Sequence, residues 1–155
     1  MKIFKKIFFI VLVLSFLQGC GYQPLLSSKN QKFNIVNVNI YGDKKLARTL
    51  GNYFTEIENA DNNLILEITA DKKKLVSNKT SIGASSEYTV TINFNIKVIS
   101  EADNKVIFTQ NFNNTSSFKT SKVHLDTLRR ENKIVDNSIK NIAEQILKRL
   151  NVIFY

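Results

Sequence analysis

The residue with the clearest chemistry is Cys20, the only cysteine of the chain, which stands in Leu17-Gln18-Gly19-Cys20. A small residue directly before a cysteine, at the end of a short apolar run, is the setting in which a signal segment is cleaved and the new terminal cysteine is acylated. The run extends from Ile7 to Leu17, with Ser15 its one polar residue, and follows Lys2, Lys5 and Lys6. As a helix it would span about 16 Å, against roughly 30 Å of hydrocarbon for a membrane-crossing segment. Residues 1–19 therefore read as a signal peptide cleaved between Gly19 and Cys20. With no second cysteine an intrachain disulfide is excluded, and the thiol is explained instead by a diacylglycerol thioether. Several acyl chains on one residue, at about 0.8 kcal/mol per buried methylene, hold a protein on its membrane. The competing reading is a free buried cysteine behind an ordinary signal peptide. Gln18 is bulkier than the residue usual at its position, which bears on the efficiency of processing and not on its site.

Other candidate chemistry is sparse. His124, the sole histidine, stands in a Ser/Thr/Lys segment with no cysteine or second histidine to complete a metal site, and reads as a solvated loop residue. After Gly21 the glycines are Gly42, Gly51 and Gly83, none in a nucleophile elbow or phosphate cradle. Glu56 and Glu58 are two apart on a predicted helix and point in different directions. We expect no enzyme and no cofactor beyond the lipid on Cys20. Two basic clusters remain. Lys72-Lys73-Lys74 with Lys79 could hold the phosphates of an acylated glycolipid while Leu75 and Val76 meet its acyl chains. A solvated strand end, blunted by lysines against edge pairing, explains the same residues and is preferred. Arg129-Arg130 offers bidentate phosphate binding, with a solvated helix face as the preferred alternative.

These groups need a scaffold. Residues 20–32 are polar, hold the only proline, Pro24, and read as a lipidated tether to a single domain over 33–155. Phe33 to Tyr41 alternates as a half-buried strand. Asp43 can cap a helix with Leu46, Leu50, Tyr53, Phe54 and Ile57 at three- and four-residue spacing. A second strand runs from Leu64 to about Val76, followed by a loop over 78–85. Then Tyr88, Val90, Ile92, Phe94, Ile96 and Val98 alternate with polar residues, and a turn at 101–104 leads to a fourth strand from Lys105 to about Phe118, forming a hairpin. A long amphipathic helix begins near Asp126, with Leu128, Val135, Ile139, Ile142, Ile146 and Leu150 on one stripe and Lys148 and Arg149 near its end. A membrane-surface helix is one reading of the stripe; cover for the sheet is the preferred one. The order β-α-β-β-β-α predicts an α+β fold: a four-stranded, mostly antiparallel sheet with two helices on one face.

Removing Lys2, Lys5 and Lys6 from the 22 basic residues leaves 19 against 13 acidic ones, a formal charge of +6. Lys, Asn, Ile and Phe share A/T-rich codons, so charge alone selects no partner. An anionic lipid or glycolipid suits it better than nucleic acid, which is scarce where a lipoprotein resides.

The lipobox, the run Cys20-Gly21-Tyr22-Gln23-Pro24-Leu25 and a β-α-β-β-β-α domain closing on an amphipathic helix together resemble the LPS-assembly lipoprotein LptE family in its short alphaproteobacterial form. The similarity is in sequence over Gly19 to Leu25 and in topology over Phe33 to Leu150; Leu26 stands where relatives often carry an aromatic. Gly21 differs from the aspartate that retains enterobacterial lipoproteins in the inner membrane. The resemblance implies a protein held by Cys20 on the periplasmic side of the outer membrane. It would sit in the lumen of an LptD-type β-barrel, plug it and engage lipopolysaccharide in transit, with Lys72, Lys73, Lys74, Lys79, Arg129 and Arg130 as candidate contacts. The alternative is a lipid-anchored periplasmic subunit of another envelope transport or secretion complex.

Overall fold

Phe33 and Ile35 are apolar in one phase of the alternation, Val38 and Ile40 in the other, so a regular strand would turn half of them to water. The chain resolves this with a bulge. In the computed structural model, which describes residues 32–54 and 61–154, β1 (Phe33–Gly42) pairs in parallel with β2 (Asn62–Lys79). The register slips at Val36, between Ile35↔Leu64 and Asn37↔Ile65. One extra residue thus brings Phe33, Ile35, Val38 and Ile40 to the same face.

Gly42 ends β1 at φ +71°, where a Cβ would lie 2.2 Å from the Ala70 carbonyl oxygen. Asp43 N–H donates to that same oxygen at 2.8 Å. As expected, Asp43 caps a helix: its Oδ1 accepts from the N–H groups of Lys45 and Leu46, each at 3.1 Å, at the start of α1 (Lys44–Gly51). Leu46, Ala47 and Leu50 are buried. The helix is shorter than its apolar spacing predicts. It stops at Gly51, where a Cβ would press to 3.3 Å of Val38 Cγ1, and Tyr53 and Phe54 continue the packing from a turn. Ile57, Glu56 and Glu58 lie outside the described residues, as do the signal peptide, Cys20 and the tether up to residue 31.

β2 pairs antiparallel with β3 (Ser85–Ser100), and β3 with β4 (Val106–Lys119), giving the order β1-β2-β3-β4. Leu64, Leu66, Ile68 and Ala70 of β2 and Val90, Ile92, Phe94, Ile96 and Val98 of β3 form the buried face. Over it lies α2 (His124–Phe154), which contributes Val135, Ile139, Ile142, Ile146 and Leu150. Among the described residues the fold is the expected α+β arrangement, with one parallel strand pair and both helices on one face.

Three details differ from expectation. α2 begins at His124, which is a helix residue and not a loop one. Leu128 is 39% exposed, and it is Thr127 and Glu131 that this end of the helix buries. The helix also runs on to Phe154, so Lys148 and Arg149 fall short of its last turn, which holds no basic residue. Phe154 packs its ring 5.8 Å from that of Phe33. The start of β1 and the end of α2 therefore meet at one pole, and the β2–β3 hairpin points to the other.

Candidate functional site

The period of two along β2 divides the lysine cluster. Lys72 and Lys74 continue the row of Leu66, Ile68 and Ala70 on the helix-covered face, while Lys73 falls in register with Thr91 on the open face. Beneath α2 the two inner lysines converge on Glu131: Lys72 Nζ lies 3.2 Å from Oε1 and Lys74 Nζ 2.6 Å from Oε2. The Glu131 side chain is 10% exposed. Burial raises its pKa, but the hydrogen bonds from Lys74 and Lys72 outweigh burial and hold the carboxyl below its ordinary value. Lys74 also sits 4.4 Å from the centroid of the Tyr88 ring and 5.7 Å from that of Phe118. These two lysines thus act as the counter-charge of a buried carboxylate.

The composition of the lysine run drew attention, but its partner went unseen. Glu131 occupies the inner stripe of α2, four residues before Val135 and seven before Ser138, all buried. A lone carboxylate on an apolar stripe is itself a signal, because a charge buried there requires a cation opposite.

Lys79 is exposed, its N–H bonded to the Asn78 side chain at 2.9 Å beside the hairpin turn. That turn is tighter than the predicted loop: β2 continues to Lys79, Thr80 N–H donates to the Ala84 carbonyl at 2.7 Å and Gly83 N–H to that of Thr80 at 2.9 Å. The β4–α2 junction is fastened alongside, with Thr120 N–H donating to the Ser86 carbonyl at 3.0 Å. Thr127, buried, accepts from Ser121 N–H at 2.8 Å and fixes the first turn of α2. Arg130 reaches back to the Lys119 carbonyl at 3.4 Å, and Arg129 meets Asp126 at 3.5 Å on the exposed surface. Lys79, Arg129 and Arg130 therefore gather at the hairpin end, with Lys73 on the opposite sheet face. Between hairpin and helix is a cleft of about 200 Å³ lined by Lys74, Tyr88, Lys122, His124 and Thr127 among others.

The open face of β3 and β4 is a hydroxyl and amide ladder. Thr89 pairs with Ser117 at 2.8 Å, Thr91 with Thr115 at 3.1 Å, and Asn95 donates to Asn111 at 2.7 Å. One ion pair, Lys97 with Glu67 at 3.1 Å, borders it. On the helix side, Ser116 and Ser138 both donate to Asn114 Oδ1, at 3.1 and 3.0 Å.

This architecture has counterparts among solved structures. Rare lipoprotein B from Shewanella oneidensis matches 75% of this chain and 94% of its own, with a TM-score of 0.54 at 13% identity. A minor lipoprotein from Acinetobacter baumannii matches 79% of this chain and 94% of its own, with a TM-score of 0.55 at 14% identity. The chain shares their fold. No protein-family model and no curated protein matches its sequence.

Proposed function

We propose that this chain is an outer-membrane lipoprotein, acylated at Cys20 and facing the periplasm, that assembles with and plugs an LptD-type β-barrel during lipopolysaccharide transport to the outer leaflet. The observation that carries the reading is a fold shared with bacterial lipoproteins, standing behind a Gly19-Cys20 lipobox. The role is one of binding and assembly, without catalysis or a cofactor other than the covalent lipid. A large barrel encloses a lumen that leaks unless a domain fills it. The ladder of Thr89, Thr91, Asn95 and their β4 partners supports this role, since its hydroxyls and amides can exchange hydrogen bonds with a hydrated wall.

For lipopolysaccharide, Lys73, Lys79, Arg129 and Arg130 are the proposed phosphate contacts, since each is exposed. Lys72 and Lys74 could join them only by leaving Glu131. Affinity capture of the full-length lipoprotein from detergent-solubilised envelopes, followed by mass spectrometry, tests the assignment. A large outer-membrane barrel in near-equal amount is the expected result. Recovery with periplasmic or inner-membrane partners instead would move the protein to another envelope complex. Charge reversal at Lys73 and Lys79 should weaken lipopolysaccharide binding at low salt without shifting the melting curve, and unchanged affinity would remove these contacts.

A further inference from the structure

The pole opposite Phe33 and Phe154 exposes apolar side chains that nothing in the fold covers. Ile82, at the hairpin turn, is 88% exposed, and Leu75 and Val76 on the adjoining strand are 67% and 43% exposed. The β4–α2 junction, bonded to Ser85 and Ser86 through Thr120, adds Val123 at 54% and Leu125 at 62%. Exposed apolar residues scattered singly need no explanation, but Ile82 at the turn, Leu75 and Val76 on the two faces of the strand leading to it, and Val123 and Leu125 on the junction beside it all fall at one end of the domain. Cations surround it: Lys73, Lys79, Lys119 and Lys122 are all exposed, against Glu87 and Asp126, the latter paired with Arg129. A short apolar tip with a lysine collar is complementary to a leaflet whose phosphates lie above its acyl chains.

The dimensions agree. The 18 residues of β2 carry the tip about 56 Å from the pole where the chain enters. The 31 residues of α2 cover about 46 Å of that length, so the hairpin outreaches its cover.

We propose that this end is a second membrane contact, in which Ile82 and its apolar neighbours sink below the headgroups of an anionic glycerophospholipid surface while the lysines meet the phosphates. Cys20 lies 13 residues before Phe33, a reach of at most about 45 Å. Lipid anchor and tip therefore share one leaflet only when the domain lies along it, a posture open to the lipoprotein outside any barrel. The contact goes beyond the barrel assignment and does not depend on it.

The chain has no tryptophan, so Ile82→Trp supplies a single reporter in the full-length lipoprotein. It is measured with vesicles of phosphatidylethanolamine and phosphatidylglycerol, and with phosphatidylcholine vesicles, each carrying a quencher on the acyl chains. In the anionic vesicles the emission should shift to the blue and be quenched several-fold more than in the neutral ones. Asn113→Trp, on the open sheet face, should stay water-like in both. Adding Lys79→Glu and Lys122→Glu, both at exposed positions, should remove most of the quenching with circular dichroism unchanged. A water-like Ile82→Trp in protein that still sediments with the vesicles means that the acyl anchor alone holds it, and overturns the proposal. Equal quenching in neutral vesicles overturns it as well.

Discussion

Glu131 is the residue on which charge and packing meet, and it makes stability depend on pH. Its folded pKa is depressed from an ordinary value of 4.5, so its contribution is complete at neutral pH. As the pH falls through that ordinary value the unfolded chain takes up the proton first, and the contribution declines until the folded carboxyl is protonated too. Glu131→Gln should cost about 1–2 kcal/mol at neutral pH, the lysines being partly exposed. The difference from wild type should shrink as the pH falls below 4.5 in paired urea titrations. A constant difference across that range would show that the ion pairs contribute nothing. Gly42→Ala meets both a left-handed φ and the Ala70 carbonyl; it should lower stability by about 2 kcal/mol or more, read from the denaturant midpoint. At this scale the sequence was readable only in part. The alternation of β2 separates Lys73 from Lys72 and Lys74 without any structure, but the carboxylate that claims the latter two is 57 residues away from Lys74. Only the packing of α2 brings it there.

Among the elements, β1 tests how register is set. Removing Val36 should leave Phe33, Ile35, Val38 and Ile40 alternating in one phase against the same partners on β2. That deletion should therefore fold with near-native stability. Deleting Asn39 instead turns Ile40 outward or drags Gly42 from its turn, and should cost about 2 kcal/mol or more by the burial lost. Circular dichroism and urea melts of the two variants decide it, and equal damage from both would mean that the bulge is structural in its own right. β2, β3, β4 and the long helix could be read from sequence because their apolar residues hold one period, whereas the apolar residues of β1 change phase at Val36. Boundaries were less readable where period and packing disagree: α1 ends at Gly51 although its apolar spacing continues. β2 runs on to Lys79 because its backbone stays paired with β3 after its side chains have left the core.

The whole molecule has two unlike poles, one joined to the tether and one bearing the hairpin. Replacing Cys20 by serine should leave the melting curve unchanged, since it alters none of the described elements, the first of which begins at Phe33. It should abolish the acyl mass on the mature chain and release the protein from the membrane fraction; retention without acylation would refute the anchor. The contact of Phe33 with Phe154 also has a bearing on assembly order. The β2–β3 and β3–β4 hairpins close short loops, whereas this contact joins the two ends of the domain, and loop-closure entropy places such long-range pairings late. The domain is therefore sealed last at the pole where Phe33 and Phe154 meet, after both hairpins have closed. The chain completes its fold only when the last turn of its final helix returns to the strand on which the domain began.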